Sequence, residues 1–287
     1  MKNLLLVIVA VALALFIQNF VLHKETQNTA KTETAYERVM RTGTLRCAYA
    51  LYPPFFDKDP NTGKLSGVSY DIMTAFEQVS GLKIEWGPEI DWGDIAATLQ
   101  SGKADAFCTN TFATPQRGRV LAFSTPLSFS TIEAYARDGD TRFDNDRERI
   151  NQPDIRIAVN MGDMSEEVAR RLFPKAQLVY KGATGGEAEL FLNVISQKAD
   201  LTLSGPSNLT SFNASNPANV LRKIEFSRPL MTFSASLAVE IHEIELLNLI
   251  NASSNNLIDS GTIDQILRND LGKDYDAAYF PPPSRLR

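Results

Sequence analysis

The chain has 287 residues, 44% hydrophobic and 22% charged, enough material for two modest folded lobes. Lys and Arg number 29 against 34 Asp and Glu, a net charge of -5, and no basic stripe stands out. A phosphate backbone needs such a stripe to displace its counterions, so nucleic acid is excluded as a partner.

Leu4 to Leu22 is apolar apart from Gln18 and Asn19. As a helix it would extend about 28 Å, long enough to cross a bilayer. Lys2 makes a positive flank that keeps the N-terminus cytoplasmic and sends the chain after His23 outside. The segment is expected to be a retained inner-membrane anchor. Ala12-Leu13-Ala14 suits signal cleavage but comes too early, with Phe16 to Leu22 still apolar behind it. Cleavage in this region is the competing expectation. Lys24 to about Glu37 is polar, Thr-rich and without apolar periodicity, so residues 1–36 read as anchor or signal segment plus stalk. The bulk is then extracytoplasmic, where Cys47 and Cys108 have oxidising surroundings in which to pair; two buried, reduced strand cysteines fit the sequence equally.

Folding is expected to start near Thr44. Leu45 to Tyr49 reads as a strand, Tyr52-Pro53-Pro54-Phe55 as a loop, and Asp59 to Gly63 as a turn. Ile72, Ala75, Phe76 and Val79 recur at helical spacing, with Gly81 placed to end the helix. Leu82, Ile84 and Trp86 alternate as in a half-buried strand, a helix follows from Gly93 to Ser101, and Ala104 to Thr109 is the next strand. Strands alternating with helices at this spacing argue for parallel βαβ units, whose binding sites lie at the carboxyl ends of the strands. The pattern repeats with strands at 155–159 and 199–203 and helices at 165–172 and 187–196. Phe123-Ser124-Thr125-Pro126-Leu127 is echoed by Phe226-Ser227-Arg228-Pro229-Leu230, each followed by a β-rich run, 131–136 and 234–239. These echoes read as two crossings between lobes. The expected division is lobe one over 37–128, lobe two over 129–231, a return to lobe one over 232–273 and an irregular tail over 274–287.

Thr114-Pro115-Gln116-Arg117 reads as a helix start with a cation in its first turn. A cation there opposes the helix dipole unless it turns toward an anion, as a ligand carboxylate would provide. A solvated surface arginine is the plainer alternative. Tyr52 and Trp92 follow strands and can offer flat faces to a ligand or to the core, whereas Phe55, Phe56 and Trp86 fit core packing. Gly162-Asp163-Met164-Ser165 lies between a strand and a helix, with Ser165 as N-cap, and a helix start there can add backbone donors to a cleft. Only two histidines exist, His23 and His242, and HExxH, CxxC, metal-spaced clusters and Gly-rich phosphate loops are absent from the sequence. No cofactor or metal is expected.

Leu45-Arg46, Tyr52 to Phe55, Gly67 to Asp71, Trp92, Leu99 to Ala106, Thr114 to Arg117, Phe123 to Pro126, Gly162, Ala199-Asp200 and Asp259 to Ile263 run in an order and spacing that resembles one family. It is the polar amino-acid-binding family of bacterial periplasmic solute-binding proteins, the ligand receptors of ABC importers. The resemblance implies a type II periplasmic-binding-protein fold, α/β, with two lobes of open, mostly parallel sheet joined by two hinge strands. It implies that Arg117 binds a ligand α-carboxylate, that Tyr52 and Trp92 wall the ligand, and that Asn110 and Phe112 face it through their backbone. Asp163, Met164 and Ser165 would supply helix-start contacts from lobe two. Two positions depart from the family pattern: Phe112 stands where Ser or Thr is usual, and Gly205 where an ammonium-binding carboxylate is usual. Asp163 is a possible substitute for that carboxylate; a ligand without a free amine is the other solution.

The expected function is non-enzymatic: a binding protein that closes around a small carboxylate ligand, an amino acid or relative, for delivery to ABC transporter membrane subunits. A dehydratase-like enzyme on the same scaffold, with Asp163 as its acid or base, and a membrane-tethered scaffold without a ligand are the competing expectations.

Overall fold

The computed structural model describes residues 13, 33–182, 186–218, 221–272 and 279–280. The Leu4–Leu22 segment, Leu13 apart, lies outside the described residues, among which no helix is long and apolar enough to cross a membrane.

The folded body begins earlier than composition implied. Thr34 caps helix α1 (Ala35–Thr42): its Oγ1 accepts from the Glu37 amide at 3.1 Å, and Glu37 Oε2 accepts from the Thr34 amide at 3.0 Å. This reciprocal box satisfies two amides that a helix start otherwise leaves orphaned. Glu243 accepts from the Ala35 and Tyr36 amides and ties α1 to the body. The stalk expectation is therefore corrected from Thr34 onward, because a capping box needs no apolar periodicity.

After β1 (Thr44–Tyr49) come a small hairpin, β2 (Asp57–Lys58) and β3 (Leu65–Ser66), then α2 (Val68–Ser80), β4 (Lys83–Glu89), α3 (Ile95–Gln100) and β5 (Ala106–Phe112). Gly67 starts α2 at φ 105, with Pro54 O only 2.6 Å from where a Cβ would stand, so no side chain fits. The helix expected from Thr114 is corrected to a single 3-10 turn, Arg117–Arg119, in which the Arg117 amide donates to Thr114 Oγ1 at 3.2 Å. β6 (Leu121–Phe123) starts two residues later and ends any helical run.

The chain continues through β7 (Ser128–Arg137), α4 (Arg147–Ile150), β8 (Arg156–Val159), α5 (Met164–Leu172), β9 (Gln177–Tyr180), α6 (Ala188–Ile195), β10 (Leu201–Ser204), α7 (Pro206–Ser215) and β11 (Leu221–Lys223). It closes with β12 (Met231–Glu240), α8 (Ile244–Asp259), α9 (Thr262–Leu271) and β13 (Tyr279–Phe280). The last strand pairs with β7 inside a tail expected to be irregular, which corrects that expectation at 279–280.

The strand order is β4-β1-β5-β12-β7-β10-β8-β9. β4-β1-β5 and β10-β8-β9 are parallel trios, and the antiparallel pair β12-β7 stands between them. β7 pairs with β12 over Ser128–Ile132 and with β10 over Glu133–Ala136; β12 pairs with β7 over Met231–Ala235 and reaches β5 from Ala235 onward. Both strands thus belong to two α/β halves. Each half is apolar on both sheet faces, as parallel strands under helices must be. Leu45, Ile72 and Phe76 pack one face of the first half, Ile95, Leu99 and Phe107 the other. In the second half the two faces are packed by Ile157, Val168 and Phe173, and by Tyr135, Leu190 and Phe191.

The halves echo each other at one buried device. The Arg46 amide donates to Asp105 Oδ2 at 2.7 Å, and the Asp105 amide donates to Arg46 O at 2.9 Å. In the second half the Arg156 amide donates to Asp200 Oδ2 at 3.0 Å, and the Asp200 amide to Arg156 O at 2.8 Å. Each aspartate locks the start of its central strand to the next one.

Candidate functional site

A cavity lies between the halves, at the carboxyl ends of their strands. Tyr52 follows β1, Trp92 follows β4, Asn110 and Phe112 end β5, and Arg117 stands on the 3-10 turn. From the other side come Asp163, Met164 and Ser165 at the start of α5, Ser204 at the end of β10 with Gly205 just beyond it, and Asn208 on α7. All eight residues singled out in the sequence line this one cavity.

Arg117 Nη1 donates to Thr111 Oγ1 at 2.8 Å and to Phe112 O at 3.4 Å, while Nη2 reaches Gly162 O across the cleft at 3.5 Å. Its guanidinium carbon lies 5.9 Å from the centre of the Trp92 ring. Burial depresses the Arg117 pKa, and the charges of Asp163 and Glu167 work in the opposite direction. Trp92 meets Tyr52 edge-on at 5.7 Å, and Tyr52 stacks on Phe55 at 5.6 Å, so the aromatic wall is braced from behind. Phe55 and Phe56 are buried in lobe one, as their core assignment requires.

Two readings of individual residues need correction, and a third gains a partner. Asp163, not Ser165, is the N-cap of α5: its Oδ1 accepts from the Ser165 amide at 2.8 Å and from the Ser165 hydroxyl. Asn110 cannot offer its amide N–H to a ligand, because Ser69 Oγ accepts that proton at 3.1 Å; its side-chain Oδ1 is instead buried without a partner among the described residues. Phe112 lends its carbonyl to Arg117, and its ring packs 5.3 Å from Phe233 beside the strands that join the halves. A phenyl group there can be held by apolar neighbours, which a Ser or Thr would not use.

The cavity also contains a carboxyl group that the sequence did not mark. Glu187 stands just before α6 and faces both the cavity and its mouth. Burial, with Asp163 and Asp91 adding repulsion and Lys181 opposing them, pushes its pKa up to about 8. Burial likewise raises Asp163, against the lowering effect of Ser165 and Arg117. At the mouth the Lys181 ammonium, with a side chain only 5% exposed, approaches Asp91 of the opposite half at 3.8 Å. Among the described residues no cluster of His, Cys, Asp and Glu suits a metal ion.

A sequence profile of bacterial extracellular solute-binding proteins, family 3, matches residues 45–273. The chain belongs to this family. Among curated relatives, it is 25% identical over 187 residues to the membrane-bound lytic murein transglycosylase F of Idiomarina loihiensis, covering 64% of this chain and 39% of that one. It is 30% identical over 95 residues to a probable amino-acid ABC transporter-binding protein of Haemophilus influenzae, covering 33% of this chain and 36% of that one. The chain thus spans well under two thirds of the length of these relatives. The crystal structure of the ancestral amino acid-binding protein AncCDT-1, a precursor of cyclohexadienyl dehydratase, superposes with a TM-score of 0.68 at 26% identity, covering 82% of this chain and 98% of that one. This family 3 protein therefore has the two-lobed type II fold that its sequence resembles, and the family is one of extracytoplasmic solute binding.

Proposed function

We propose that the protein binds a small carboxylate-bearing ligand, an amino acid or a close relative, in the interlobe cavity and presents the closed form to the membrane subunits of an ABC importer. The observation that carries this reading is Arg117. Its guanidinium is half-buried at the floor of the cleft, held on one edge by Thr111 and Phe112, with the other edge turned toward the start of α5. A planar fork beside a helix start is suited to a carboxylate. In the same reading Tyr52 and Trp92 wall the ligand, Met164 and Ser165 meet it from lobe two, and the apolar Leu4–Leu22 segment tethers the protein to the inner membrane. The test is a thermal-shift screen of amino acids and their derivatives on residues 34 onward, followed by calorimetry on the best ligand. Arg117→Ala and Arg117→Lys should each lose about 30-fold or more, since a point charge does not replace the fork. Unchanged affinity in Arg117→Ala removes the assignment.

A second reading is an enzyme of the dehydratase type, favoured by one observation: the cleft holds Glu187, an acid whose pKa of about 8 keeps it protonated at neutral pH. Release of carbon dioxide or water from a cyclohexadienyl carboxylic acid, abolished in Glu187→Gln, would select it over binding.

A further inference from the structure

We propose that the cationic nitrogen of the ligand is received by the Glu187 carboxylate, with Asn110 Oδ1 as a neutral second acceptor, so that ammonium recognition has moved from position 205 to the start of α6. The inference rests on the binding reading above. Position 205 lines the cavity but brings no side chain to it, although its φ of -73 is one that any residue adopts, so the backbone does not demand glycine there. Its neighbours Ser204 and Asn208 are spent on each other, Asn208 Nδ2 donating to Ser204 Oγ at 2.8 Å.

The other carboxylate in the cavity, Asp163, is occupied by Ser165 as a helix cap. Glu187 differs: it precedes α6 without capping it, its side chain making no capping hydrogen bond. Asp163 sits in the field of Arg117, and Lys181, which acts on Glu187, also pairs with Asp91 at 3.8 Å, so among the described residues Glu187 shares its nearest cation with a second acid. A ligand carboxylate on Arg117 strengthens that imbalance, and a ligand ammonium removes it. Asn110 points the same way. It is 4% exposed, its Nδ2 donates to Ser128 Oγ at 3.5 Å, and its Oδ1 lacks a donor among the described residues of a cavity that it lines. A buried acceptor without a donor costs free energy that an N–H from the ligand would restore.

Binding then carries a proton signature. The groups that face Glu187 are Asp163 and Asp91, which hold it protonated, and Lys181, which opposes them. Below about pH 8 the free carboxyl is mostly protonated, so capturing an ammonium releases a proton, and affinity rises up to about tenfold per unit from pH 6 to pH 8 before levelling.

The test uses protein from residue 34 onward and calorimetry with each L-amino acid beside its 2-hydroxy acid, in two buffers of different ionisation enthalpy. Wild type should bind at least one amino acid about 30-fold more tightly than its hydroxy acid and release protons at pH 7. Glu187→Gln should lose most of that preference and the proton release while keeping its affinity for the hydroxy acid, and Asn110→Leu should lose part of the preference. Equal affinity for both members of every pair, with binding still lost in Arg117→Ala, overturns this inference and leaves the carboxylate site standing. Preference intact in Glu187→Gln overturns it as well. Binding of neither class overturns both.

Discussion

Gly93, ahead of α3, and Gly162, ahead of α5, meet across the cleft so closely that a Cβ on Gly162 would lie 3.5 Å from the Gly93 Cα. The two halves touch here backbone to backbone, one edge away from Arg117. Gly162 also has φ 74, where side chains are strained, whereas Gly93 has no such constraint and a Cβ on it would stand 4.0 Å from Met161 O. A backbone contact this close should limit how far the lobes close. Gly93→Ala should bind ligand as wild type does, while Gly93→Leu should hold the lobes apart and lose about tenfold or more in affinity without changing the melting temperature of the free protein. Small-angle scattering with ligand present should show the Leu variant as the larger particle; equal radii and equal affinity would show that the contact does not limit closure.

The Cys47–Cys108 disulfide joins β1 to β5 with Cα atoms 5.5 Å apart and a sequence separation of 61. Constraining a loop of that length in the unfolded chain is worth about 4 kcal/mol on the chain-entropy account. The double variant Cys47→Ala, Cys108→Ala should lose roughly 2–4 kcal/mol in urea unfolding. A loss under about 0.5 kcal/mol would contradict the entropic role.

Much of this arrangement is written locally. Ile72, Ala75, Phe76 and Val79 carry the period of α2, and Gly81 ends it at φ 71. The cavity was legible because strand-end residues such as Tyr52, Trp92 and Arg117 share one edge of the sheet by topology alone. What local pattern does not carry is which loop residue faces the opposite lobe. Glu187 was visible only as the first residue of an expected helix, and nothing in a 3.6-residue period separates a solvated first-turn glutamate from one under a second lobe. Arg117 was legible as a cation but not as part of a 3-10 turn, because the element that cuts its helix short is β6, paired with β12 from far along the chain. The choice between a disulfide and two thiols was likewise open until β1 and β5 were adjacent.

The paired strand locks should be unequal. Asp105 has a fully buried side chain that accepts from Arg38 Nε at 3.0 Å and Arg46 Nη2 at 2.8 Å, and it meets Arg38 Nη2 as well. Asp200 is 11% exposed in its side chain, and its partners Arg137, Arg156 and Arg142 are 27%, 40% and 44% exposed. Breaking a buried pair strands the remaining charges, at about 3–5 kcal/mol, whereas water compensates a partly exposed one. Asp105→Asn should therefore destabilise by about 3 kcal/mol or more and Asp200→Asn by about half of that or less, measured by urea unfolding. Equal losses would show that the amide bonds at the strand starts, common to both, dominate over the guanidinium pairs.

Asp270 on α9 faces Asp71 on α2, and burial first, then the charge of Asp71, pushes its pKa from an ordinary 3.8 to about 6. The sign follows from which state binds the proton more tightly. A carboxyl raised in the folded protein disfavours the folded state once it must ionise, so its contribution to stability falls as pH rises from about 4 to about 6 and stays low above that. Asp270→Asn removes the ionisation and should raise stability at pH 7. The site is partly open to water, and screening keeps the gain to about 1 kcal/mol or less. The gain should shrink as pH falls through 6 and vanish below about pH 4, where the native carboxyl is neutral in both states. Melting temperatures of the variant and wild type across pH 4 to 8 separate this electrostatic relief from a change in helix propensity. Propensity would shift both ends of that range equally, whereas repulsion between Asp71 and Asp270 shifts only the upper end. Asp71→Asn, which leaves Asp270 in place, should recover part of the same gain with the same pH dependence.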